Sequence, residues 1–315
     1  MKKSIILFVL FLFNISNAQV KKETPYKESN AILKTNNDQL FGTLTVPDDI
    51  KKHPVALLIA GSGPTDRNGN NSMMKNNSLK MLAEALAKNG IASLRFDKRG
   101  IGESKASAAN EVSLVFENYT EDVKNWINYL KQDKRFSQVV VIGHSEGSLI
   151  GMIAGAKANK FISIAGAGNS ADKLIKDQIA AKSNQEINDM TFPIIDSLKG
   201  GNQVKKVNPL LNSLFRPSVQ PYLISWFKYD PQTEIKKLNI PILIVQGNND
   251  LQVTVKDAEL LSQANKDAEL LIVDKMNHIM KIIDGDKQAN LDSYNNESLP
   301  ISEVMTNKII SFIYK

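Results

Sequence analysis

The chain has 315 residues, 42% of them hydrophobic and 23% charged, with 39 Lys and Arg against 33 Asp and Glu, three His and no Cys. The length suits two domains or one large α/β domain with an insertion, and the ordinary composition excludes wholesale disorder and a collagen-like chain. The missing cysteine excludes a disulfide scaffold, a thiolate nucleophile, a Cys-bound zinc and a lipidated N-terminal cysteine.

In chain order, Lys2 and Lys3 precede an apolar run over 5–13, and small residues stand at Ser16 and Ala18. A basic start, a short apolar stretch and a small-x-small end read as a secretory signal peptide cleaved after Ala18. The run is too short to span a bilayer as a helix. Its removal takes away two lysines and no acid, so the net charge falls from +6 to +4. No later apolar stretch is long enough to span a membrane. The expected product is an exported protein, periplasmic or extracellular, with no integral membrane segment. No basic stripe with interleaved aromatics marks a nucleic-acid partner.

Residues 19–30 read as a loose polar leader. Runs over 31–35 and 40–46 flank Asn36-Asn37-Asp38-Gln39 and predict a hairpin. The continuous apolar run 55–60 after Pro54 suits a strand buried on both faces. A helix over 79–88 follows, with Ser78 as its cap and Gly90 as its stop. A strand at 91–96 comes next, then a helix over 121–132 capped by Thr120, in which Val123, Trp126, Ile127 and Leu130 repeat at helical spacing. Strand 139–142, helix 149–158 and strand 161–164 continue the alternation. Strand 242–245, helix 255–264, strand 270–273 and helix 301–313 close it. This order predicts a mostly parallel sheet with helices on both faces. The core then has two parts, 19–167 and 239–315. Residues 168–238 interrupt it with helix-like stretches at 171–190 and 204–215, several prolines and no buried-strand pattern. Leu210, Leu211, Leu214, Phe215, Tyr222, Leu223, Ile224, Trp226 and Phe227 make this segment too apolar for a disordered linker. It is expected to be an inserted helical cap.

The chemistry concentrates where 139–142 runs into Gly143-His144-Ser145-Glu146-Gly147 ahead of a helix. This is G-x-S-x-G in its required strand–turn–helix setting. A serine hydroxyl needs an adjacent base to become a nucleophile. His53 precedes the strand at 55–60, at the far edge. His144 lies inside the turn and points away from Ser145. His278, just past the strand 270–273, lies where open α/β sheets place their sites. The imidazole in turn needs a carboxylate to hold its tautomer and stabilise its charged form. Asp250, right after the strand 242–245, is the preferred candidate, with Asp274 as the competitor. The order Ser145, Asp250, His278 is the one this motif requires. The backbone N–H groups of Glu146 and Ser62 are the expected oxyanion donors. Gly61-Ser62-Gly63 is a poor dinucleotide fingerprint, because Asp66 stands where that pattern needs a glycine. No pair of histidines lies at metal-ligand spacing, and Asp284 and Asp286 lack the rest of a calcium loop. No cofactor and no metal are expected.

Together the segments 61–69, 95–104, 143–147, 247–253 and Asn277-His278 resemble the α/β-hydrolase superfamily over about residues 31–315, and within it bacterial esterases with a serine aminopeptidase-like lid. The resemblance implies carboxylic ester hydrolysis through an acyl-serine intermediate, with Ser145, Asp250 and His278 as the triad. Asp97, Arg99, Gly100 and Gly102 are expected to shape a loop, and Asp66 and Arg67 to brace the oxyanion loop. Trp226, Phe227 and Tyr229 could line an acyl pocket or form the cap's own core. The expected partner is a small-molecule ester. Two other readings stay open. A peptidase would use the same triad and take small peptides, with cap acids such as Asp172, Asp177, Glu186, Asp189 and Asp196 offered to a free amine. A non-catalytic binding protein would keep only the scaffold.

Overall fold

The computed structural model describes residues 24–35, 38–108 and 110–315; the expected signal peptide, 1–18, lies outside them. Among the described residues, eight strands form one sheet: β1 Tyr26–Lys34, β2 Gln39–Pro47, β3 His53–Ile59, β4 Ala92–Phe96, β5 Phe136–His144, β6 Lys160–Ile164, β7 Ile242–Gly247 and β8 Glu269–Val273. Their spatial order is β1-β2-β4-β3-β5-β6-β7-β8. β1 and β2 are an antiparallel hairpin, β2 runs antiparallel to β4, and every later pairing is parallel. The supposed leader is therefore partly a strand, because Tyr26–Asn30 pair with Thr43–Pro47 of β2.

The helices are α1 Ser78–Lys88, α2 Phe116–Gln132, α3 Glu146–Ala154, α4 Ala171–Lys182, α5 Gln185–Lys199, α6 Asn212–Phe215, α7 Gln220–Trp226, α8 Pro231–Lys236, α9 Val255–Ala264, α10 Lys287–Asp292 and α11 Glu303–Tyr314. Among the described residues, no helix is long and apolar enough to cross a membrane. β5 shows why both faces are covered. Val139 and Val141 join a core with Phe116, Trp126 and Phe161, while Val140 and Ile142 join one with Leu82, Leu86 and Ile309. A strand buried on both faces needs apolar residues at successive positions, and this one has them.

Two expected helix starts are displaced. Ser78 lies inside α1; Asn77 holds the N-cap position, in a left-handed conformation at φ 54° and without a side-chain cap bond. Helix α2 begins four residues before Thr120, whose hydroxyl turns back to Glu117 O at 2.9 Å. Asn118 instead accepts from Val115 N at 2.9 Å and satisfies the first turn.

The insertion leaves the sheet after β6 and returns at β7. The single helix expected over 171–190 is two helices, because Asn184 accepts from Ile187 N at 3.1 Å and starts a new one. The stretch 204–215 is helical only from Pro209. Both ends of the lid are tied to α9. Asp257 Oδ1 accepts from Gly168 N at 3.0 Å, and Asn265 Nδ2 donates to Ile235 O at 3.0 Å and Leu238 O at 3.4 Å.

The chain after β3 turns to β4 on one side, and after β5 it proceeds to the other. The carboxyl ends of β3 and β5 therefore flank the point where the strand order reverses. Crevices of open α/β sheets form there.

Candidate active site

Ser145 follows β5 in that crevice. Its backbone stands at φ 54° and ψ −121°, a conformation that costs a non-glycine residue roughly 1–3 kcal/mol. The flanking glycines are sterically required. A Cβ on Gly143 would lie 2.2 Å from Gly147 O, and one on Gly147 would lie 2.4 Å from Ile59 O. The turn packs directly against β3, and Ser145 N donates to Ile164 O of β6 at 2.9 Å.

His278 and Asp250 meet across two loops. His278 Nδ1 and Asp250 Oδ2 are 2.8 Å apart, and the Asp250 side chain has no solvent exposure. Asp250 Oδ1 accepts from Gln252 N at 2.7 Å and Val253 N at 3.0 Å. Burial alone would raise the Asp250 carboxyl, but the adjacent imidazole and these bonds outweigh it and hold the group below the usual carboxylate range. The competitor, Asp274, accepts from Asn248 Nδ2 at 2.8 Å instead. A buried amide network joins the two loops. Asn277 Nδ2 donates to Asn290 Oδ1 at 3.1 Å and to Ser293 Oγ at 2.9 Å, and Asn290 Nδ2 donates to Asn249 O at 2.7 Å. The segment around α10 that supplies these amides has no counterpart in the expected elements.

The other histidines do different work. His53 is buried at the start of β3, with Nδ1 2.8 Å from Gly90 O and Nε2 2.8 Å from Asp49 Oδ1. His144 sits beneath His278, the ring centres 4.9 Å apart. Its Nε2 donates to His278 O at 2.7 Å, which fixes the tautomer and anchors the His278 backbone. Full burial, reinforced by the neighbouring imidazole, pushes His144 down to about 4, so it is neutral near pH 7.

Two cavities open at Ser145. The larger, about 340 Å³, lies between the turn and the lid and is lined by Ser62, Glu146, Leu149, Ile175, Leu223 and Trp226 among others. The smaller, about 60 Å³, is lined by Ser145, His278, Ser62, Gln252 and Tyr294. Of the three aromatic candidates, Trp226 lines the larger cavity, Phe227 is fully buried, and Tyr229 packs on Phe116 at 5.5 Å. A wider polar groove of about 650 Å³ lies along α2, where Arg99 binds Asp122 and Asp38, away from Ser145.

The family-like charged residues are braces. Asp97 accepts from Arg67 N at 2.8 Å, Arg67 Nη2 at 2.6 Å and Glu103 N at 3.0 Å. Asp66 accepts from Asn68 N at 2.8 Å and Asn70 N at 2.9 Å, which closes the loop after β3. Gly102, at φ 50°, leaves room for the Asp97 carboxylate, which a Cβ would meet at 2.3 Å.

The fold has counterparts among solved structures. Est1E from Butyrivibrio proteoclasticus superposes with a TM-score of 0.58 at 16% identity, covering 91% of this chain and 99% of that one. An esterase from Pyrococcus furiosus superposes with a TM-score of 0.58 at 15% identity, covering 92% of this chain and 91% of that one. The chain has the α/β-hydrolase fold. The family model described as serine aminopeptidase, S33, matches residues 74–204 of this chain, a span that holds Ser145 but neither Asp250 nor His278. Esterase EstD of Thermotoga maritima is 27% identical over 257 residues, which is 76% of this chain. The chain spans only 58% of that relative's length.

Sequence reasoning missed Lys98, Tyr222 and Gln252, which also reach the site. Gln252 lines both cavities and donates from Nε2 to Tyr294 OH at 3.0 Å. Its place two residues after Asp250 was the available signal. Lys98 had none, since a charged residue at a strand end reads as solvated.

Proposed function

We propose that this chain is a serine carboxylesterase. The observation that carries the reading is that Ser145 and an Asp250-oriented His278 line one cavity. Ser145 Oγ attacks the ester carbonyl and His278 Nε2 takes its proton. Asp250 stabilises the imidazolium that forms. The oxyanion of the tetrahedral intermediate is held by the N–H groups of Ser62 and Glu146. Glu146 opens α3, whose first N–H groups have no intrahelical acceptor. The proton then passes from His278 to the leaving alcohol. Water activated by the same histidine adds to the acyl carbonyl, and release of Ser145 frees the acid.

The peptidase reading has less support. A free amine needs an acceptor, and among the described residues lining the larger cavity Glu146 is the only acid. Its carboxylate is already taken by Lys98 and Tyr222. Three of the five lid acids are engaged elsewhere: Asp172 with Lys199 at 3.0 Å, Asp196 with Lys176 at 2.5 Å, and Asp189 with Gln185 at 2.7 Å.

The test is a panel of p-nitrophenyl esters of graded acyl length beside aminoacyl anilides, with fluorophosphonate labelling of Ser145. Esters should turn over and the anilides should not. A preference for anilides would favour the peptidase, and an unlabelled serine the binding protein. Export is part of the proposal, and mass spectrometry should find a mature chain beginning at Gln19.

A further inference from the structure

Lys98 is only 2% exposed at the carboxyl end of β4, and the triad chemistry assigns it no task. Its Nζ donates to Glu146 Oε2 at 2.6 Å and to Gly61 O at 2.7 Å, and stands 5.0 Å from the centre of the Tyr119 ring. The other Glu146 oxygen accepts from Tyr222 OH, on the lid helix α7. A buried ion pair is weak support for stability by itself, since apolar residues of similar volume often serve as well. Its place here is more telling. The two residues expected to supply the oxyanion donors, Ser62 and Glu146, belong to separate elements, and one ammonium group reaches Glu146 and the Gly61 carbonyl of the peptide that carries the Ser62 N–H.

We propose that Lys98 is a positioning residue that sets the oxyanion hole by fixing the Gly61–Ser62 peptide and Glu146 in one geometry. This rests on the esterase reading above. A trans peptide is planar, so Gly61 O and Ser62 N–H point in opposite directions. A cation on the oxygen therefore directs the N–H away from Lys98. It also polarises the amide and strengthens its donor. Without that cation the peptide can turn over and present a carbonyl oxygen to the developing anion. The local chain resists this weakly, because Ser62 is exposed and lies between two glycines, Gly63 being at φ 71°. Glu146 completes the link. Its carboxylate is held by Lys98 from below and by Tyr222 from the lid, so the first turn of α3 and the loop after β3 cannot shift independently.

The experiment compares Glu146→Gln with the double variant Lys98→Met/Glu146→Gln. The double variant removes the donor to Gly61 O without leaving a lone buried charge. Against Glu146→Gln, kcat should fall a further tenfold to hundredfold or so, with KM within about threefold, since loss of a whole oxyanion donor typically costs about a hundred- to a thousandfold. A trifluoromethyl ketone carrying the same acyl group forms a tetrahedral adduct on serine, and its affinity should weaken by the same factor as kcat. An unchanged kcat overturns the proposal. So does a parallel loss in kcat, KM and melting temperature, which marks general loosening. Lys98→Met/Glu146→Leu makes the same comparison with an apolar pair if the first double variant does not fold. Wild-type protein that neither hydrolyses esters nor labels at Ser145 would refute the esterase reading instead, which separates the two failures.

Discussion

In the turn that carries Ser145, backbone stands against backbone. Gly143 faces Gly147, Gly147 faces Ile59 and Ala60, and an added methyl would overlap atoms that cannot move independently. The lid that covers it is held by side chains. Phe116 stacks on Trp226 at 6.0 Å, Gln220 Nε2 donates to Val204 O at 2.9 Å and Phe215 O at 2.8 Å, and Phe116 N donates to Ser225 Oγ at 2.8 Å. Side-chain contacts can be exchanged one at a time, whereas backbone contacts cannot. On the proposed esterase reading, the rigid turn would carry the reaction and the exchangeable lid contacts the selectivity.

Substitutions should separate these roles, and a lid substitution as costly as one in the triad would break the contrast. Ser145→Ala should lower kcat/KM by about 10⁴-fold or more while circular dichroism stays native, since a triad acts as a unit. Asp250→Asn should cost about 10³- to 10⁴-fold in kcat, because the neutral side chain can hold the wrong tautomer. Gly143→Ala should cost at least about 3 kcal/mol of stability, seen as a lower melting temperature or insoluble expression. His144 sharpens the contrast through pH. Its folded-state value lies near 4, below the 6.5 of an ordinary histidine, so the unfolded chain binds more protons between the two. Stability contributed by the neutral ring is present above about pH 6.5 and is lost on acidification toward pH 4, up to about 3 kcal/mol in all. His144→Gln, which keeps a donor for His278 O, should flatten the melting temperature over that window. The smallest effect belongs to the lid. Trp226→Ala should change kcat/KM for long acyl chains by roughly threefold to tenfold and leave acetyl esters nearly unchanged.

The parallel core and the serine turn were legible in the sequence because their causes are local. Successive apolar residues mark β3 and β5, and Gly143 answers a clash with Gly147, four residues on. His278 could be reached by elimination because only three histidines exist. Helix starts were less legible. Thr120 has the chemistry of a cap, yet its hydroxyl bonds backward inside α2. The extension of β1 to Tyr26 was hidden because exposed polar residues in an edge strand look like a loop. The Lys98–Glu146–Tyr222 link was invisible for another reason. Each partner is ordinary in its own neighbourhood, and only the folded sheet brings them together.

The attachment of the lid carries a practical consequence. Its entry at Gly168 and its exit at Ile235 and Leu238 are gripped by two side chains, Asp257 in α9 and Asn265 at its C-cap. The helix α9 thus works as a socket. Any segment that presents a backbone N–H at the first position and carbonyls at the last two can be seated between β6 and β7 without redrawing the sheet. Chimeras made by exchanging everything between those junctions, with α9 kept intact, would change which molecules enter while the chassis that holds Ser145 stays in place.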